Sequence, residues 1–92
     1  MAKYALDYAP EFEDDIKKFE KAGEKITLKK ISILLKELEV HPKTGTGHPE
    51  PLKGRMNCWS RRITSKHRLV YEIQDDIVVV LVLSAYGHYD DK

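Results

Sequence analysis

Ninety-two residues, 41% of them hydrophobic, suit a single domain spanning 1–92 with a modest core. The lone cysteine, Cys58, excludes an intramolecular disulfide and favours a reducing compartment. The net charge of +1 hides a segregation: residues 1–41 hold 8 Lys/Arg against 9 Asp/Glu, residues 42–68 hold 7 against 1, and residues 69–92 hold 1 against 5.

That cationic middle favours a polyanionic partner, because Lys and Arg displace condensed counterions when they meet phosphates. The opening stretch MAKYALDYAPEFEDD has no signal-peptide pattern. The longest aliphatic run, Ile77 to Leu83, is too short to cross a bilayer as a helix. A cytoplasmic protein without membrane contact is expected.

In chain order, residues 3–8 alternate Tyr4, Leu6 and Tyr8 with polar or small neighbours, which predicts a short strand with one wet face. Pro10 suits the first position of a helix, where its missing N–H has no intrahelical partner anyway. Phe12, Ile16 and Phe19 give that helix one apolar stripe, and Gly23 stops it. Acidic residues in its first turn and lysines near its end complement the helix dipole. A second helix is predicted from Glu24 to Glu39, with Leu28, Ile31, Leu34, Leu35 and Leu38 on one side. Its end falls at His41-Pro42, because proline disfavours helical geometry in the residue before it. The two helices form a hairpin with facing apolar stripes, and their charges are expected on a solvated outer face.

From Gly45-Thr46-Gly47 onward the period changes. Pro49 and Pro51 bracket Glu50 and keep its backbone extended, while Trp59–Ile63 and His67–Ile73 alternate. Ile77–Leu83 is continuously apolar and β-branched, as in a central strand covered on both faces, after a turn at Gln74-Asp75-Asp76. The prediction is an α+β fold: an N-terminal strand, an α-helical hairpin, then a largely antiparallel sheet.

The hairpin between the two alternating segments has a definite register. A three-residue loop, Thr64 to Lys66, pairs Ile63 with His67 and gathers Trp59, Ile63, Leu69, Tyr71 and Ile73 on one face. A two-residue loop would split them between faces. The chosen register sets Arg62 opposite Arg68 on the other face, where like charges repel. Something anionic, or Glu72 further along the strand, is expected between them. Arg61 falls on the core side and is expected to snorkel to an edge. Trp59 and Cys58 are expected in the interior, His48 and His67 at polar turn or rim positions.

Cleaving an RNA phosphodiester needs a base for the 2′ hydroxyl, an acid for the leaving 5′ oxygen, and cations to hold the phosphate as charge builds. Glu50, His88, and the set Lys53, Arg62 and Arg68 are of the required types. Two blander readings fit the same residues: Glu50 as a loop carboxylate paired with Lys53, and the arginines as RNA-binding groups without chemistry. His41, His48, Cys58, His67 and His88 lack any zinc-site spacing, so no metal or other cofactor is expected.

The strings HPEPLKG and WSRRITSKHRLVYEI, with His88-Tyr89 near the C-terminus, resemble the YoeB/Txe family of bacterial toxins, within the RelE/ParE superfamily. The likeness runs along essentially the whole chain. It implies a microbial-ribonuclease-like sheet with a helical hairpin, and a ribosome-dependent endoribonuclease that cuts mRNA in the ribosomal A site. It also implies silencing by a YefM/Axe-like antitoxin; a face this basic is best neutralised by an acidic segment that covers Arg62 and Arg68, which is expected of that partner. On this resemblance Glu50 is the general base, His88 the general acid, and Arg68 the group stabilising the transition state. Lys53 and Arg62 position the phosphate, and Tyr89 is the tyrosine after the catalytic histidine. The chain departs from the pattern in running on past Tyr89 to Asp90-Asp91-Lys92 and in having Tyr86-Gly87 before His88. Gly87 is expected to loosen the backbone beside the acid. The alternative is a non-catalytic RNA- or ribosome-binding module, or a ParE-like gyrase inhibitor. Monomer and homodimer both stay open.

Overall fold

The computed structural model describes residues 3–87. Strand β1 (Ala5–Tyr8) leads into helix α1 (Pro10–Lys21), which has Pro10 at its start, Glu11 and Glu13 in its first turn, and Lys18 and Lys21 in its last. The helix ends as its sequence dictates. Gly23 takes φ 69°, its N–H donates to the Glu20 carbonyl, and the Glu24 N–H donates to that of Phe19. This is a Schellman closure, which satisfies carbonyls that the helix end would otherwise leave bare. Helix α2 (Lys25–Leu38) follows at once.

Three longer strands and one short one complete the chain: β2 (Glu50–Pro51), β3 (Cys58–Arg62), β4 (Arg68–Gln74) and β5 (Val79–Ser84). They make one sheet in the order β1-β5-β4-β3-β2, antiparallel except where β1 lies parallel to β5. The predicted register holds. Arg62 pairs with Arg68, and the Ile63 N–H donates to the His67 carbonyl.

The helical hairpin covers one face of the sheet. Phe12, Phe19, Ile31, Leu34 and Leu38 meet Ile63, Leu69, Tyr71, Ile73, Val80 and Val82 in one core, with Trp59 packed against it. Leu34 and Leu38 are fully enclosed, and burying such a side chain is worth about 1.5–3 kcal/mol. On the other face Leu52, Cys58 and Val70 form a second, smaller cluster.

Two expectations need correction here. Ile77 and Val78 lie in an exposed turn, not in the last strand, and β5 begins only at Val79. Val79, Leu81 and Leu83 also stay half-buried, so this strand is covered fully on one face only. An apolar run alone does not distinguish a strand with two covered faces from an apolar turn feeding a strand with one.

Arg61 is the second correction. It does point to the core side, but its side chain is 0% exposed and reaches no edge. Its Nε–H donates to the Tyr71 hydroxyl (3.1 Å), and Nη1 donates to Glu37 Oε1 (2.8 Å) and the Thr46 carbonyl (3.3 Å). Nη2 donates to the carbonyls of Thr44 (2.6 Å) and His41. Tyr71 in turn donates to the Pro42 carbonyl at 2.7 Å. The segment from His41 to Thr46 is thus wrapped around a buried guanidinium, whose planar fork satisfies carbonyls that have no strand partner.

Candidate functional site

The wrapped segment delivers Gly47 against β3. The Arg62 N–H donates to the Gly47 carbonyl at 2.6 Å, and a Cβ on Gly47 would lie 2.8 Å from the Arg62 carbonyl oxygen. Only glycine allows so close an approach at φ 91°. His48 then takes φ 53°, and β2 pairs with β3 so that Glu50 faces Ser60. Because side chains alternate across a strand, Glu50, Ser60, Arg62 and Arg68 share the face away from the helices.

Gly47, His48, Glu50, Ser60, Arg62 and Arg68 line a polar notch of about 40 Å³. A water needs roughly 10–15 Å³ of such space, so the notch has room for a few oxygens, as of a phosphate. Beside it runs a wider groove of about 530 Å³, which shares Gly47, His48, Arg62 and Arg68 and adds Lys30, Ile63, Thr64 and Ser65.

The electrostatics of the notch are unbalanced. Arg62 and Arg68 stand directly opposite each other, and among the described residues neither forms an ion pair. Glu72, the intrastrand anion expected between them, instead lies opposite Cys58 and Leu81. The carboxylate in their neighbourhood is Glu50. Arg68 Nη1 is buried without a hydrogen-bond partner among the described residues. A buried charged donor left unpaired is costly, and a bound anion would relieve it.

The structure therefore brings together three of the six sequence-predicted residues: Glu50, Arg62 and Arg68. Lys53 sits exposed in the turn after β2, outside the lining of notch and groove. His88 and Tyr89 lie outside the described residues. Sequence reasoning missed Lys30, which the helical period assigned to a solvated face and which reaches the groove from α2. It also missed Asp15, buried on α1, whose Oδ2 accepts the Ala85 N–H at 2.9 Å. A helical pattern of apolar residues carries no mark of a polar side chain turned inward to cap a strand end.

The backbone before His88 is held, not loosened. The Gly87 N–H donates to His67 Nδ1 at 2.8 Å, and the Gly87 carbonyl accepts the Arg68 N–H at 3.1 Å.

The fold belongs to a class of small bacterial toxins. It is similar to the solved YoeB/ParE toxin from Agrobacterium tumefaciens, with a TM-score of 0.84 and 34% identity, covering 92% of this chain and 99% of that one. The heterotetrameric YoeB-YefM toxin-antitoxin complex from Staphylococcus aureus contains a similar chain, with a TM-score of 0.78, 34% identity, and coverage of 96% and 100%. In sequence, toxin YoeB of Escherichia coli K12 is 41% identical over 85 residues, which cover 91% of this chain and 98% of the relative. Residues 8–89 match the family described as YoeB-like toxin of bacterial type II toxin-antitoxin systems. The chain belongs to that family.

Proposed function

We propose that this toxin is a ribosome-dependent endoribonuclease that cuts mRNA in the A site by acid–base transesterification. The supporting observation is the convergence of Glu50, Arg62 and Arg68 on one notch, with Arg68 Nη1 buried and unpaired. Glu50 takes the proton of the ribose 2′ hydroxyl as that oxygen attacks phosphorus. Arg68, with Arg62 opposite, holds the non-bridging oxygens as negative charge grows on them. The 5′ oxygen leaves with a proton from His88, giving a 2′,3′-cyclic phosphate and a 5′ hydroxyl. Lys53 and Tyr89 contribute further contacts to the RNA. The protein works in the cytoplasm, and a YefM-like antitoxin silences it by setting carboxylates against the two arginines.

Glu50→Gln keeps the shape of the base but cannot take the proton. Arg68→Lys keeps a charge but loses the two-pronged grip. Both variants are expected to bind ribosomes nearly as well as wild type and to cleave A-site mRNA at least ~10²-fold more slowly. A 2′-deoxy substitution at the scissile nucleotide is expected to abolish cleavage, since the attacking oxygen is gone. Undiminished cutting of that substrate overturns the mechanism. Wild-type protein that binds ribosomes without cutting anything is a binder and not an enzyme.

A further inference from the structure

Ala85, Tyr86 and Gly87, the residues leading up to His88, are each held by a contact, and His67 takes part in two of them. Asp15 on α1 holds the Ala85 N–H, as the end of β5 leaves the sheet. The Tyr86 ring packs 5.4 Å from Phe19 and 4.6 Å from His67 between ring centroids, with Lys18 Nζ 4.8 Å from its centre. Phe19 meets His67 edge to face at 5.0 Å, which fixes the plane of the imidazole. Held in that plane, Nδ1 accepts the Gly87 N–H, so Nδ1 carries no proton. The Gly87 carbonyl is bound by the Arg68 N–H, the backbone of the very arginine in the notch. Gly87 sits at φ 89°, a conformation that costs glycine little but that leaves its neighbour's direction undecided unless both peptide groups are held.

We infer that His67 is a positioning residue: through its unprotonated Nδ1 it holds the backbone of Gly87, the residue from which the chain continues to the proposed acid, His88. This rests on the reading of His88 as the general acid. Misplacing a reacting group by about 1 Å can cost on the order of 10²-fold in rate. Hydrogen-bonding the preceding residue to the strand that carries Arg68 is therefore a direct means of holding acid and cation in one frame.

Two variants separate the acceptor from the ring. His67→Phe keeps the contacts with Phe19 and Tyr86 but has no acceptor. His67→Asn loses the ring but sets Oδ1 where Nδ1 was. In wild type and in His67→Asn the Gly87 amide is expected to be protected from hydrogen exchange, and in His67→Phe to exchange freely. The turnover rate of His67→Phe should fall on the order of 10²-fold with KM nearly unchanged, and His67→Asn should recover much of it. Introduced into His88→Ala, His67→Phe should bring no further loss, since the group it positions is already absent. Wild-type turnover in His67→Phe, or additive losses in the double variant, overturns the proposal. So does Gly87 protection that is indifferent to the acceptor in variants that melt like wild type. If wild type proves not to cut RNA, the nuclease reading fails, and Gly87 exchange still decides whether the clamp exists.

Discussion

Arg61 carries its charge where water cannot reach it, and Glu37, with a side chain 27% exposed, is its ion partner at 2.8 Å. Removing Arg61 leaves the carbonyls of His41, Thr44 and Thr46 without this donor, at about 1–3 kcal/mol for each that water cannot reach, a large share of a small domain's total stability. Arg61→Met is therefore expected to lower the urea midpoint sharply, with Arg61→Lys intermediate because one ammonium cannot reach all those carbonyls. A midpoint for Arg61→Met close to wild type rules out this role. Glu37 adds a pH dependence. Burial pulls its carboxyl up, but hydrogen bonds from the Thr46 hydroxyl and amide and from Arg61 overcome that, so its pKa lies below the ordinary 4.5. A carboxyl lowered in the folded state stabilises the fold above its unfolded pKa and loses that contribution as pH falls through the folded value. Urea midpoints measured downward from pH 4.5 should therefore drop for wild type, and Glu37→Gln should lack this component.

At the scale of elements, α2 does more than cover the core. It sends Leu34 and Leu38 inward, Glu37 to Arg61, and Lys30 to the groove beside the notch. If RNA lies along that groove, Lys30 neutralises one phosphate. Lys30→Gln should then flatten the slope of log affinity against log salt by about 0.7–0.9, whereas the exposed Lys29→Gln leaves affinity and slope unchanged. Equal slopes for all three proteins would take Lys30 off the RNA path. The boundaries of α1 and α2 were legible because Pro10, Gly23 and Pro42 are strong punctuation. The β3–β4 register was legible because only one pairing puts Trp59, Ile63, Leu69, Tyr71 and Ile73 on a common face. That same register disclosed the opposed arginines. The rest depended on tertiary partners that no period encodes. Glu37 and Lys30 look like any solvated helix charges until a strand or groove meets them. Arg61 looks like a side chain in need of an exit until the 41–46 segment closes over it.

The molecule is closed by joins of two ranges, one at the far edge of the sheet and one beside the site. The parallel pairing of β1 with β5 joins Ala5 to Val79, and the 41–46 segment is anchored to a side chain 15–20 residues further on. The helical hairpin and the β3–β4 hairpin, by contrast, close between chain neighbours. Contacts near in sequence form first because they close small loops. The loop around Arg61 cannot settle before α2 and β3 are both in place, since its carbonyls find their donors only there. The buried guanidinium thus makes completion of the notch depend on α2 and β3 having docked. Thr46→Ala, which removes one hydroxyl from Glu37, is expected to speed unfolding and leave the folding rate alone, with a φ-value near zero in stopped-flow chevrons. A φ-value near one would put the loop in the folding nucleus instead. A chain in which α2 has not yet met β3 therefore has its hairpins but no shaped cradle for an anion.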